Sequence, residues 1–253
     1  MKRTKSTLSM ARWLLVSTLI CGSAVVVTSC GNNPLEEILG AIDNPSGSTT
    51  VAVTDIMLDE TSLTKIVGDD AVTLTATVNG DATDKTIVWK SDKPSVANVD
   101  ANGVVTIQGR GLATITVTAT NGTEDTADDK TATCEVAVYN LVNLATLNDN
   151  YSAQDFDMLT GTLGANVKIT IAAGATVMLK DASINASGTW TSGDYAGITC
   201  EGDATIILEG TNTVKGFSQY YPGIFPAVGK TLTIKGDGSL TVSSNGFAAG
   251  IGA

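Results

Sequence analysis

The chain has 253 residues, 15 of them basic and 26 acidic, no histidine, and a net charge of −11. That balance argues against nucleic acid and anionic lipid surfaces as partners, since both are held chiefly by Lys and Arg. The missing imidazole excludes Ser-His-Asp and Cys-His catalysis and removes the commonest metal ligand.

Lys2, Arg3, Lys5 and Arg12 make a positive start with no acidic residue near it. Trp13 to Val27 is an apolar run of about fifteen residues, shorter than the roughly twenty that span a bilayer as a helix. Residues 1–29 are therefore predicted to be an export signal. The run ends in Val27-Thr28-Ser29-Cys30, followed by Gly31 and Asn32. This resembles the lipobox of bacterial lipoproteins, with Val27 where Leu is commoner. The resemblance implies that Cys30 is acylated and becomes the mature N-terminus, so that the protein meets a membrane only through its lipid, at the outer membrane or cell surface. Several acyl chains anchor stably where one alone is marginal. The alternative is an ordinary signal peptide with a chance cysteine. Removal of the signal leaves 11 basic residues against 26 acidic ones, a net charge of −15.

Residues 30–50 read as a tether, with Pro34, Pro45 and a Gly-Ser-Thr cluster.

From Val51 to Asn140 the pattern is one of short alternating strands. Val72, Leu74, Ala76 and Val78 share one face, opposite Thr73, Thr75 and Thr77. Ile115, Val117 and Ala119 repeat the alternation, as do Cys134, Val136 and Val138. Asn102-Gly103 is expected to form a two-residue type I′ hairpin turn. Trp89 is expected in the core of a sandwich, with a sugar platform as its other use. The runs Ile56-Met57-Leu58, Val72 to Ala76, Val88-Trp89-Lys90-Ser91-Asp92, Val96 to Asp100 and Gly111 to Val117 together resemble the bacterial Ig-like domain of group 2. That resemblance implies a β-sandwich used as a spacer in adhesins and surface enzymes.

Residues 141–253 carry an internal repeat. Ala196-Gly197-Ile198 recurs as Pro222-Gly223-Ile224 and as Ala249-Gly250-Ile251, at spacings of 26 and 27 residues. On that period Ile206 and Leu208 are expected to lie on Leu232 and Ile234, Gly210 on Gly236, and Val214 on Leu240. A weaker copy runs through Val177-Met178-Leu179 and Ile184. Short strands with glycine corners at this period are the signature of a β-solenoid. The fold class expected for the whole chain is thus all-β, an Ig-like sandwich followed by a short right-handed parallel β-solenoid. The Gly-Ile repeats, with Asp203 to Gly210 and Thr231 to Gly238, resemble β-helical carbohydrate-binding proteins of gut and cellulolytic bacteria. The resemblance implies acidic-glycan or cellulose binding and, in some members, bound calcium. After Ile251 only Gly252-Ala253 remains to cap the stack, so a fragment of a longer protein is expected, or a second chain over the open end.

Tyr195, Tyr221 and Phe247 recur every 26 residues, with Trp190, Phe217, Tyr220 and Phe225 nearby. Trp190, Tyr195, Tyr220, Tyr221 and Phe247 are the candidate glycan-stacking residues; the alternative is an aromatic ladder between coils. Asp194, Glu201 and Asp203 flank one strand and offer oxygen ligands for calcium, though solvated surface charge is the plainer role. Glu209 and Lys235 are expected to form a minor surface ion pair. Cys134 and Cys200 fall in different predicted domains, which argues against a disulfide. No pair of carboxylates facing across a cleft can be drawn, so the segment is expected to bind rather than to catalyse. A purely structural stalk and a fragment of a β-helical lyase or glycosidase are the rivals.

Overall fold

The computed structural model describes residues 50–164, 167–185 and 195–252. Among these residues there are nineteen strands, one 3-10 turn at Leu144–Thr146 and no α-helix, so the chain is all-β. From Thr50 onward it packs as one compact unit.

The first nine strands are β1 (Ile56–Leu58), β2 (Ser62–Ile66), β3 (Val72–Thr73), β4 (Ala76–Val78), β5 (Ile87–Ser91), β6 (Ala97–Val99), β7 (Val104–Ile107), β8 (Gly111–Ala119) and β9 (Lys130–Asn143). One sheet runs β2-β9-β8-β5, while β3-β7-β6 and the pair β1-β4 lie in separate sheets. The alternation sets which side chains go inside. Ala113, Ile115, Val117 and Ala119 on β8 are fully buried, as are Cys134, Val136 and Val138 on β9. Each large apolar side chain so buried contributes roughly 1.5–3 kcal/mol. Trp89 is half-buried and packs against both apolar clusters of this sandwich.

The Asn102-Gly103 turn differs from expectation. Only Gly103 has positive φ, at 79°, and the Asp100 amide donates to the Val104 carbonyl (3.1 Å), so the loop is the three residues Ala101 to Gly103 rather than two. The physical reason is Asp100, whose Oδ1 accepts from the amides of Asn102 (2.8 Å) and Val104 (2.9 Å). A turn held by its first side chain needs the left-handed conformation only at its last residue.

The remaining strands are β10 (Tyr151–Ala153), β11 (Asp157–Thr162), β12 (Ile169–Ile171), β13 (Thr176–Ile184), β14 (Ile198–Cys200), β15 (Ala204–Glu209), β16 (Thr211–Lys215), β17 (Ile224–Phe225), β18 (Leu232–Gly236) and β19 (Ser239–Ser243). They pair in parallel along three ladders. The first is β9-β11-β13-β15-β18, the second β10-β12-β14-β17, extended by a bridge from Ile224 to Ile251, and the third β13-β16-β19. All three enclose a single core in which Val177, Leu179, Ile184, Ile198, Ile206, Val214, Phe217 and Ile224 are buried.

The Gly-Ile corners fall where the repeat predicts, with Ile198 on Ile224 and Ile224 on Ile251. The intervening strands are shifted by two residues from the predicted register. Ile206 lies on Ile234, Leu208 on Gly236 and Val214 on Val242. Leu232 follows Ile224 by two positions more than its aligned partner Ala204 follows Ile198, and the side-chain period of two keeps the same face inward despite the slip. The slip also undoes the expected Glu209–Lys235 pair. Lys235 is aligned with Ile207, and Glu209 instead bonds Lys180, its neighbour on the preceding strand, at 2.5 Å.

Strand β9 belongs to both halves. Its residues up to Val138 pair antiparallel with β8, and Asn140 to Asn143 pair parallel with β11. The boundary expected between Asn140 and Leu141 therefore falls inside one continuous strand.

Candidate functional site

Two short loops, one after β16 and one after β19, hold an aromatic cluster. The amides of Phe247 and Ala248 donate to the Gln219 carbonyl (2.8 and 3.2 Å), which seats the second loop on the first. This places Phe247 beside Tyr220, with ring centroids 6.3 Å apart and planes tilted by 32°. Both rings face solvent, Tyr220 at 69% and Phe247 at 82% exposure, and Tyr221 is exposed next to them. Gly246 allows the close approach, since a Cβ there would lie 2.6 Å from that of Gln219. An exposed pair of ring faces offers a surface for the C–H face of a pyranose, with the Tyr220 hydroxyl at its edge.

Tyr195 lies elsewhere. Its ring packs on Phe217 at 4.8 Å, and its carbonyl accepts from the Phe217 amide at 3.1 Å. Phe217 is buried in the core, and burial raises the Tyr195 phenol above its ordinary pKa. Of the predicted column, Tyr195 thus pairs with the buried Phe217 and Phe247 with the exposed Tyr220, while Tyr221 is exposed and in neither pair. Trp190 lies outside the described residues, as do Asp194 and Cys30.

Glu201 is exposed, while Asp203 works as a turn residue. Its Oδ1 accepts from the Thr231 amide of the following strand layer at 2.8 Å. Asp155 and Asp181 do the same for Thr176 (2.7 Å) and Thr211 (2.9 Å). This device recurs at successive layers and was not foreseen from the sequence, although an Asp before each corner was its visible trace. Asn212 was also missed. Fully buried, it accepts from the Ala182 amide and donates to the carbonyls of Glu209 and Ser239, joining three successive layers. No group of three or more metal-ligating side chains occurs among the described residues.

The thiols of Cys134 and Cys200 are free and buried, and burial pushes each up to about 11. That removes the thiolate a reactive cysteine needs.

The most concentrated polar chemistry lies at the meeting of the two halves. Asp157, the first residue of β11, is fully buried and points inward in the column that continues as Val177 and Ile206. Its Oδ1 accepts from Arg110 Nη1 and Asn140 Nδ2, both at 2.9 Å. Its Oδ2 accepts from the Tyr151 hydroxyl and the Gln154 amide, both at 2.8 Å. Four donors satisfy the carboxylate, the condition under which a buried charge is tolerated. Tyr151 in turn is pushed up to about 12, by burial first and then by its bond to Asp157.

The model of the intimin immunoglobulin-like domain matches residues 72–121, which supports an Ig-like domain in the first half. An uncharacterized protein of Clostridium acetobutylicum is 41% identical over 58 residues, covering 23% of this chain and 13% of its own length. The chain thus spans about an eighth of that relative. A solved SusE-like surface-located polysaccharide-binding protein from the Bacteroides thetaiotaomicron heparin utilisation locus is 17% identical, with a TM-score of 0.21 over 47% of this chain and 20% of its own.

Proposed function

We propose that this protein is a lipid-anchored cell-surface glycan-binding protein, in which a group 2 Ig-like domain acts as spacer for a β-solenoid that carries the binding surface. Support for the solenoid comes from the three parallel ladders around one core, with glycine corners between them. Support for the spacer comes from the Ig-like match and from β9, which makes the sandwich and the ladders one continuous structure. The single observation that carries the glycan reading is the exposed Tyr220–Phe247 pair.

The test is a broad glycan array with the mature protein and a Tyr220→Ala/Phe247→Ala variant. Binding lost in the variant, with its melting curve unchanged, supports the reading. Binding that is retained overturns this pair as the surface. Repeating the array with calcium and with chelator tests the expected calcium ligands Asp194, Glu201 and Asp203. The lipid anchor is tested separately: a Cys30→Ala variant that still partitions with membranes overturns it.

A structural stalk is the second reading, favoured by Phe217. Its burial under Tyr195 supports a packing use for part of the aromatic set. No glycan binding in either calcium condition would favour the stalk.

A further inference from the structure

Asn is followed by Gly at Asn79, Asn102, Asn121 and Asn245. Such a pair can lose the Asn side-chain amide, because a residue without Cβ lets its own nitrogen reach the preceding Asn Cγ. Three of the pairs are held against this. Asn79 Oδ1 accepts from the Thr54 amide at 2.9 Å, and its Nδ2 donates to Asp81 Oδ1 at 2.7 Å. Asn121 is tied in the same way, to the Val53 amide at 2.9 Å and to Asp128 Oδ2 at 3.0 Å. At Asn102 the attacking group is the one restrained: Gly103 is buried, and its N–H donates to the Asp100 carbonyl at 3.1 Å.

Asn245 differs from all three. Its side chain makes no hydrogen bond among the described residues, so the carboxamide can turn toward the next nitrogen. Gly246 is exposed to water, and its N–H donates only to Ser244 Oγ, at 3.2 Å. Gly246 is also required by the packing, since a Cβ there would lie 2.6 Å from Gln219 Cβ. The close approach that seats this loop on its neighbour therefore fixes a labile pair immediately before Phe247.

We propose that Asn245 is a site of spontaneous deamidation, and that its conversion takes Phe247 off Tyr220. The Gly246 nitrogen gives its proton to water and bonds to Asn245 Cγ; the Cγ–Nδ2 bond breaks and ammonia leaves. Water then opens the resulting succinimide at either carbonyl, to aspartate or isoaspartate, and no oxidant or reductant takes part. Both products add a negative charge at neutral pH. In isoaspartate the main chain runs through the former side chain and gains a methylene. That extra length falls between β19, paired with β16 as far as Ser243, and the Phe247 amide on the Gln219 carbonyl. It pushes Phe247 away from that carbonyl and so from the Tyr220 ring.

The modification is independent of what the aromatic pair binds, and its test needs no ligand. Peptide mapping by mass spectrometry, after incubation of the purified protein at mildly alkaline pH, follows all four pairs in one sample. Enzymatic methylation of isoaspartate identifies the product. In the folded protein Asn245 is expected to convert about tenfold faster than Asn79, Asn102 or Asn121, the ratio set by release from one or two hydrogen bonds. In the urea-unfolded chain the four rates are expected to converge. Equal rates in the folded protein, or a faster site among the other three, overturn the proposal; so does a ratio that persists in urea. NMR contacts between the Tyr220 and Phe247 rings are expected to fade as isoaspartate accumulates. They should persist in Asn245→Gln, whose longer side chain closes the ring far more slowly. Ring contacts that survive full conversion overturn the displacement of Phe247.

Discussion

Arg110 and Asp157, 47 residues apart, meet through a 2.9 Å bond that ties the Ig-like sandwich to the first strand layer of the parallel ladders. Stacked strands need a polar cover at the end of their apolar column. Here Asn140 and Asp157 occupy the inward positions that Val177 and Ile206 fill in later layers, and Arg110 reaches in from the sandwich. The sandwich therefore caps the stack at this end.

Removing the carboxylate should be severe. Asp157→Ala leaves Arg110, Asn140 and Tyr151 without their shared acceptor, and a loss of about 3 kcal/mol is expected for breaking a buried charged network. Arg110→Met should lose less, because its side chain is partly exposed and the other three donors remain. Urea unfolding of both variants and the double variant checks the ordering. Equal losses would show that the two residues do not act through one carboxylate.

How much of this was legible beforehand depends on sequence distance. The alternation at Ile115, Val117 and Ala119 marked buried positions because strand periodicity is local. The Gly-Ile corners were visible for the same reason: a Cβ at Gly197 or Gly223 would lie 2.7 and 2.4 Å from its nearest neighbour, so each corner demands glycine. Register was not legible. It depends on a turn length, and two added residues moved Leu232 and Ile234 by one full side-chain period. The pairing of Phe247 with Tyr220 was not legible either, because Phe247 is seated by the Gln219 carbonyl rather than by a strand repeat. The Asp157 network draws on Arg110, Asn140, Tyr151 and Gln154, and no local pattern announces such a set.

Phe217→Ala should destabilise the ladders by about 3–5 kcal/mol, since it removes a fully buried ring and leaves a cavity beneath Tyr195. Chemical denaturation gives the magnitude. A loss below about 1 kcal/mol would mean that the site collapses freely and that Phe217 is not a packing residue.

Gly103→Ala tests the turn. The added Cβ would lie 2.5 Å from the Leu74 carbonyl oxygen and 2.9 Å from Trp89 Cζ2, at a φ of 79° that L-residues avoid. Clash and backbone strain together should destabilise the protein by about 2–3 kcal/mol, with a change in Trp89 fluorescence. An unperturbed spectrum with wild-type stability would contradict the packing of Trp89 over this turn.

Stability should fall at both extremes of pH, for opposite reasons. Asp100 is lowered chiefly by the Val104 amide, Asp59 by the Thr75 amide and Asp128 by the Asn121 side chain. A group lowered in the folded state stabilises it above the unfolded carboxylate pKa, and that contribution is lost as pH falls through the folded value. Thermal stability should therefore drop below about pH 4, the ordinary carboxylate range. At the alkaline end the sign reverses. Tyr151 rises from 10.0 to about 12, so its contribution is complete below pH 10 and disappears as pH climbs through 12. Cys134 and Cys200, raised from 9.0 to about 11, act in an overlapping window. Tyr151→Phe in a Cys134→Ala/Cys200→Ala background separates them. It should cost about 1–2 kcal/mol at neutral pH, from the bond lost to Asp157, and should flatten the decline between pH 10 and 12. A decline as steep as in the cysteine-free parent would mean that Tyr151 does not hold its proton for Asp157.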